Sequence, residues 1–506
     1  MMQINVTKNA KRNMIIGFVN KIILLFLPFC LKTIINYYLG SEYLGLNSLF
    51  SSILTVLSLS ELGFSSALVY NMYRPIAEND SKKICALLAV YRKAYKAIGV
   101  VILTFGLCVT PFLEKFVNGS YPENINVYLL FIVQLLNIVL SYFMFGYKQS
   151  LLAAYQREDI KSVINFITQF LLNISQIICI VLTRNYYFFV ICMPIFTVIN
   201  NLWIGYVTKK MFPEYEPNGK LDTATLSSIK RLVAGTFIQK ACVVTRNSLD
   251  SICISAFLGL TMTAIYNNYF TLIGAITSLL AIISTSLTGG IGNHVAVKSI
   301  EDNFGELKKI DYLYMMISGW CTACLLCLYQ PFMRIWMGST LLLDMKAVVL
   351  LCLYFYLLKI GDMRTMYSTA NGLWWKMKYR SILETIGNLG LNIILGRFFG
   401  VCGIIVATII SLTLCNIIWA SEIVFKSYFG RQYLKQYYKY HVCFILKTVI
   451  VCVITYVLVQ LVAIDNKILS FVLQGIVTFI VSAGLIYVLN CRSQEFKNAF
   501  SMIQRK

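Results

Sequence analysis

Ionisable side chains are scarce in this chain. Of its 506 residues, 13% are Asp, Glu, Lys or Arg and 58% are hydrophobic, whereas a soluble domain carries about a quarter charged residues. So few charges cannot cover the surface of a water-soluble molecule of this length, which excludes an ordinary soluble globular fold. Acidic residues are the rarer sign, 22 against 44 Lys and Arg. Histidine occurs twice, as His294 and His441, near loops and far apart in sequence. That leaves no parts for a His-ligated metal centre or a His-based catalytic triad. Cysteine is plentiful at 16, but the residues sit singly in apolar segments, where a thiol packs as a small hydrophobe. Cys321, Cys324 and Cys327 imitate an iron–sulfur spacing without the fourth Cys followed by Pro. No metal site and no cofactor is expected.

Long apolar runs are what the sequence has instead. About twenty apolar residues cross a bilayer as a helix. Spans are expected near 13–37, 46–70, 94–113, 125–147, 160–183, 186–208, 232–257, 264–292, 312–333, 347–370, 381–398, 401–425, 441–463 and 468–490. The sequence therefore predicts an all-α integral membrane protein of about 14 helices. Met1 to Asn13 is polar and basic, and the run after it is too long for a signal-peptide core and has no small-residue cleavage site, so it reads as a retained first helix. Leu39-Gly40-Ser41-Glu42 and Leu258-Gly259-Leu260 read as tight turns between neighbouring spans.

The basic residues recur in short bursts between the apolar runs. This is the pattern of membrane-protein loops and argues against nucleic-acid binding, despite the net charge of +22. Alternate loops hold 31 and 6 Lys plus Arg. The positive-inside rule then places both termini in the cytoplasm.

The chain repeats itself at an offset of 219–220 residues. Leu39-Gly40 returns as Leu258-Gly259, Pro111-Phe112 as Pro331-Phe332, Gly119-Ser120 as Gly338-Ser339, Tyr147 as Tyr367, and Leu172-Asn173-Ile174 as Leu391-Asn392-Ile393. The offset spans six helices, an even number, so both copies have the same orientation. The expected organisation is an N-terminal six-helix lobe at 1–210, a cytoplasmic linker at 211–230, a C-terminal six-helix lobe at 231–425, and two additional helices with a tail at 426–506. Two parallel lobes are expected to leave a cleft near the midplane.

Ionisable groups inside spans are costly and are the default site candidates. They are Lys21 and Lys32, Glu61, Lys240, Arg246 and Asp250, Lys359, Asp362 and Arg364, Glu384, and Lys447. Lys21 and Lys240 are separated by 219 residues, so each lobe carries a Lys at matching depth on its first helix. If both face the cleft, with Arg246 and Arg364, they form a cationic pocket suited to an anionic group such as a pyrophosphate. Other roles are open at this stage. Lys21 is near enough to an interface to snorkel. Arg246 and Asp250 are spaced to neutralise each other, as are Lys359 and Asp362. Glu61, Asp250, Asp362 and Glu384 can be counter-ions or coupling groups. Pro28, Gly289, Gly290 and Gly292 mark points where spans can bend.

The segments Leu39 to Leu46, Leu59 to Gly63 and Tyr73 to Asp80, continued by Lys82-Lys83-Ile84 and Tyr91-Arg92-Lys93-Ala94-Tyr95, resemble polysaccharide repeat-unit flippases. These are the O-antigen and teichoic-acid exporters of the multidrug/oligosaccharidyl-lipid/polysaccharide exporter superfamily. Over the remaining four-fifths of the chain the likeness is one of hydropathy and architecture. The resemblance implies a V-shaped, MATE-like, two-bundle transporter working by alternating access in the bacterial inner membrane. Its implied cargo is an undecaprenyl-pyrophosphate-linked oligosaccharide moved to the outer leaflet for surface polysaccharide, lipopolysaccharide included. It further implies membrane lipids, a coupling ion (Na⁺ or H⁺), a polysaccharide polymerase and glycosyltransferases as partners. Lys21, Lys240 and Arg246 match the family's cavity cations by location. A lipid II flippase is one alternative, although that branch is richer in cavity Arg. A drug antiporter of the same superfamily is another, although the cation excess among the intramembrane charges argues against it. A polymerase or glycosyltransferase would need acid/base or metal groups in a loop. The longest outward loop offers only Glu114 and Glu123, and Glu158-Asp159 reads as a solvated turn, so no enzyme is expected.

Overall fold

The computed structural model describes residues 26–58, 64–118, 121–122, 124–155, 157–462, 464–493 and 495–497. Lys21, Glu61, the segment Leu59 to Gly63, the pair Gly119-Ser120 and Glu123 lie outside the described residues. The backbone at Lys240 is described, but its side chain is not.

All regular structure among the described residues is helical. The helices are α1 (26–38), α2 (Ser41–Leu57), α3 (Phe64–Ala77), α4 (Ser81–Val109, extended by a tighter turn to Phe116), α5 (Val127–Phe143), α6 (Gln149–Ala154), α7 (Glu158–Thr183) and α8 (Tyr186–Met211). They continue as α9 (223–258), α10 (260–297), α11 (Ile300–Trp336), α12 (Met345–Lys359), α13 (Asp362–Ala370), α14 (374–399), α15 (401–429), α16 (Gln432–Gln460) and α17 (Lys467–Asn490). The predicted spans that fall among the described residues lie on these helices, and the chain is a multi-pass membrane protein.

Short polar residues start the helices. Asp80 accepts from the Lys83 amide at 2.9 Å, Asn126 from Leu129 at 3.0 Å and Ser299 from Asp302 at 3.1 Å. Each satisfies an N–H that the helix itself leaves unpaired. The side chain of Asp222 does the same for Thr225 at 2.8 Å, and these hydrogen bonds hold its carboxyl below the usual range. The repeat is visible in the backbone. Gly40 and Gly259 both adopt positive φ, 105° and 84°, at the turns expected from the sequence. Arg184 and Gly400 close the α7–α8 and α14–α15 connections with φ of 50° and 58°. A left-handed residue lets one helix end and the next begin almost at once.

The chain forms two compact units, Met1–Ala264 and Ile265–Lys506. The core of the first is apolar: Leu46, Leu49 and Phe50 of α2 pack with Leu87 and Tyr91 of α4 and Phe131 and Leu135 of α5. The Phe50 and Phe131 rings meet edge to face at 5.3 Å. In the second unit α11 is the central element. The two helices outside the repeat, α16 and α17, are fastened to it. Ala323 packs with Val451 and Cys452, Trp320 meets Phe479 at 4.8 Å, and the Tyr312 hydroxyl donates to Asn490 at 2.7 Å. Apolar side chains such as Leu446, Val453 and Val457 on the outer face of α16 are exposed, as lipid-facing positions are.

Spans 4 and 10 are each broken, a feature that the hydropathy does not announce. In the first unit α5 ends at Phe143 and the chain resumes with a 52° bend through Gly146–Ala154. In the second, α12 ends at Lys359, Gly361 takes φ 92°, and α13 begins at Asp362. Each break frees backbone groups at membrane depth, which is tolerated where protein surrounds them.

Gly403 stands where α15 passes the carbonyl of Leu395, and a Cβ there would overlap that oxygen. Gly403→Ala is expected to destabilise the protein by about 2 kcal/mol, a typical cost of overpacking. Gly475→Ala, with nothing within 4 Å of the added Cβ, should stay within about 0.5 kcal/mol of the parent. Thermal unfolding of the purified protein in detergent checks both.

Candidate functional site

The second unit holds a charged interior built by α11 to α15. Lys359, at the end of α12, is buried, and its ammonium pairs with Asp362 at 3.2 Å. The same Asp362 oxygen accepts from the Tyr314 hydroxyl of α11 at 2.6 Å. The helix break at Gly361 makes this possible, because it places Asp362 in the first turn of α13, where a carboxylate suits the helix dipole.

Two residues on, Arg364 is 1% exposed. It is held by neutral groups of α15: the Ser421 hydroxyl accepts from Nη1, and the Asn416 side-chain oxygen accepts from Nη2 at 3.1 Å. Asn416 lies in a π-helical stretch, Leu412–Trp419, and a second stretch covers Phe425–Phe429. Such widened turns are frequent at functional sites. Gly361 lies directly beneath the guanidinium: a Cβ at 361 would come within 2.7 Å of Nη2. Glycine is therefore required there for both space and backbone conformation.

Arg380 and Glu384, one turn apart on α14, pair at 2.7 Å with both side chains less than 10% exposed. Arg380 also donates to Ser381 at 2.8 Å. Further along α14, Asn388 donates to Thr408 of α15 at 3.0 Å, and Asn392 donates to Asn388 at 3.4 Å. Among the described residues this interior holds the cations Lys359, Arg364 and Arg380 with the carboxylates Asp362 and Glu384, and Asp311 of α11 is buried as well. Arg364 differs from the other two cations in that the hydrogen-bonding partners of its guanidinium are neutral.

In the first unit the positions on α7 that match this stretch of α14 carry no charge. At the repeat offset, Asn165, Gln169 and Asn173 of α7 occupy the places of Glu384, Asn388 and Asn392. A cavity of 290 Å³ lies beside Asn165, Thr168, Gln169, Thr197 and Asn200. Thr168 donates to Asn200 at 2.9 Å, and Thr197 to Asn137 at 2.6 Å. Arg246 and Asp250 are both buried on α9, 5% and 2% exposed, and neither lacks a partner.

Of the residues singled out in the sequence, the structure brings Arg364, Asp362 and Glu384 into one polar interior. Lys21 and Glu61 lie outside the described residues, and the Lys240 side chain is not described. Sequence reasoning missed three members. Arg380, counted with the loop cations, is buried at 8% exposure; its position four residues before Glu384 was the available signal. Asp311, just outside the expected span 312–333, and His441, read as near a loop, are buried and face each other at 3.1 Å between α11 and α16. Only tertiary structure joins them. Among the described residues no group of three His, Cys, Asp or Glu side chains is arranged to hold a metal. The site offers fixed hydrogen-bond donors, amides and buried guanidinium groups, an arrangement suited to binding an anionic or polar group.

No protein-family model matches the chain. No curated protein matches it either. Solved structures do. A lipid II flippase, MurJ, in an inward closed conformation superposes with a TM-score of 0.66 at 16% identity, covering 95% of this chain and 99% of its own. A multidrug resistance MATE family transporter of the MOP superfamily, facing inward, gives 0.61 at 15% identity, covering 83% and 99%. A MATE transporter of Vibrio cholerae, VcmN in the bent form, gives 0.53 at 13% identity, covering 87% and 100%. At these identities the likeness establishes a shared fold.

Removing one partner of a buried ion pair strands the other charge. Glu384→Ala is expected to cost about 3 kcal/mol of stability. Adding Arg380→Met to that variant should restore most of the loss. Thermal unfolding of the single and double variants tests the pair, and a double variant no more stable than Glu384→Ala would refute it.

Proposed function

We propose that the chain is a flippase of the multidrug/oligosaccharidyl-lipid/polysaccharide exporter superfamily. Its cargo on this reading is an undecaprenyl-pyrophosphate-linked oligosaccharide repeat unit, moved from the cytoplasmic to the outer leaflet of the bacterial inner membrane for surface polysaccharide. The observation that carries the reading is the buried guanidinium of Arg364, held by neutral groups, inside a fold shared with lipid and drug transporters. A guanidinium with no carboxylate hydrogen-bonded to it is costly to keep in a membrane interior. An anionic cargo passing the site would give it a charge-assisted partner. The motif resemblance between Leu39 and Tyr95 supports the polysaccharide branch.

On this reading the lobes at 1–210 and 231–425, joined by 211–230, alternate access to the cavity. Lys21, Lys240, Arg246 and Arg364 hold the pyrophosphate. Glu61, Asp250, Asp362 and Glu384 serve as counter-ions or as the coupling groups for Na⁺ or H⁺. Polymerase and glycosyltransferases act before and after it.

A second reading, a lipid II flippase, is favoured by one observation. That fold covers 95% of this chain, whereas the MATE transporter leaves out a share about the size of the segment after residue 425. Complementation of a strain depleted of its lipid II flippase separates the two: rescue of growth selects lipid II. For the leading reading, Lys21→Ala with Lys240→Ala should reduce surface polysaccharide at least about tenfold, the loss of a charge-assisted contact. Normal polysaccharide at full protein level in that double variant would remove the cationic-cavity mechanism.

A further inference from the structure

The first unit contains a second concentration of positive charge, at the end of the bundle where the loops are rich in Lys and Arg. A cavity of 480 Å³ is lined by Arg92 and Lys96 of α4, by Lys148 beyond the break in α5, and by Lys209 at the end of α8. Leu88, Arg92 and Lys96 recur every four residues, so one stripe of α4 forms a wall. The floor exists because α5 stops at Phe143 and the chain turns away through 52°. That turn brings Tyr147 and Lys148 to the cavity.

The roof is a strap of residues 212–217, fastened at both ends. At its start the Phe212 ring lies 4.5 Å from that of Tyr155, and the Tyr155 and Tyr215 hydroxyls share a hydrogen bond of 2.6 Å. At its far end the Cys85 thiol donates to the Glu214 carbonyl at 3.8 Å, and the Asn218 amide donates to the Cys85 carbonyl at 3.3 Å. The space is therefore held open by specific contacts.

Four cations meet one lining carboxylate, that of Glu216. Cations gathered against their mutual repulsion, around a cavity in the size range of ligand sites, are arranged to receive an anion. Guanidinium and ammonium groups together match phosphate oxygens.

We propose that this cavity binds a phosphate or pyrophosphate group at the basic face of the membrane, through Arg92, Lys96, Lys148 and Lys209. The argument uses only the cavity and its charges and does not require the transport reading. On that reading the site would receive the lipid-linked pyrophosphate before it enters the lobes.

The same chemistry is carried by prenyl-lipid headgroups and by soluble phosphates, so the test uses both. Full-length protein in phosphatidylcholine nanodiscs is titrated calorimetrically with inorganic pyrophosphate and with farnesyl pyrophosphate. The parent chain is expected to bind at least one of them, more weakly as salt rises. Arg92→Gln with Lys209→Gln should weaken binding at least about tenfold, and Glu216→Gln should tighten it. These side chains are exposed, so the thermal midpoint without ligand should not move. Binding of farnesyl pyrophosphate alone assigns the site to a lipid headgroup; equal binding of both assigns it to the phosphate group itself. A parent chain that binds neither, or a double variant that binds as tightly as the parent, overturns the proposal. The titration involves no transport, so its failure leaves the flippase reading standing. Loss of export in the Lys21 and Lys240 variant likewise leaves this site standing.

Discussion

A bilayer interior offers no water to an ionised group, so each charge folded into it dictates what its neighbours must be. In the second unit this constraint organises everything from α11 to α15. Asp362 is met by Lys359 and Tyr314, Glu384 by Arg380, and Arg364 by Ser421 and Asn416. The helix break at Gly361 and the π turns of α15 make sense in those terms. Both re-aim side chains that a regular helix would point elsewhere. The charges thus account for the irregularities, and the irregularities account for how the charges are tolerated.

The two units answer the same constraint differently. Where α14 carries Glu384, Asn388 and Asn392, α7 carries Asn165, Gln169 and Asn173. Neutral amides can be satisfied by one another and by backbone, at a smaller desolvation cost than an ion pair. At these three paired positions the polar character is kept and the charge is not. The first unit lines one interior cavity with amides and hydroxyls, buries Arg246 and Asp250 on α9, and gathers further cations at the basic end, around the strap at 212–217.

Much of this was legible in the sequence, and for a physical reason. Long apolar runs and glycine turns are local properties, so the spans and the turns at Gly40 and Gly259 could be read directly. The Lys359–Asp362 pairing was expected from an i, i+3 spacing on one helix; the pair forms, but across the break at Gly361. The broken spans were not legible, because apolar residues continue through Met144 and Ile360 and hydropathy does not register a change of direction. Arg380, Asp311 and His441 were misplaced for a related reason: a charge at the edge of an apolar window looks like a loop. Arg364 shows the remaining limit. Its partners lie more than fifty residues away in the chain, and no periodicity connects them.

The connection at Gly400 has a consequence for how the protein is made. Helices α14 and α15 share a single non-helical residue, and Asn388 bonds Thr408 across it. Two spans joined this tightly form a hairpin as soon as both are in the bilayer, and the Asn388 amide then finds its hydroxyl acceptor inside that hairpin, before any other helix is needed.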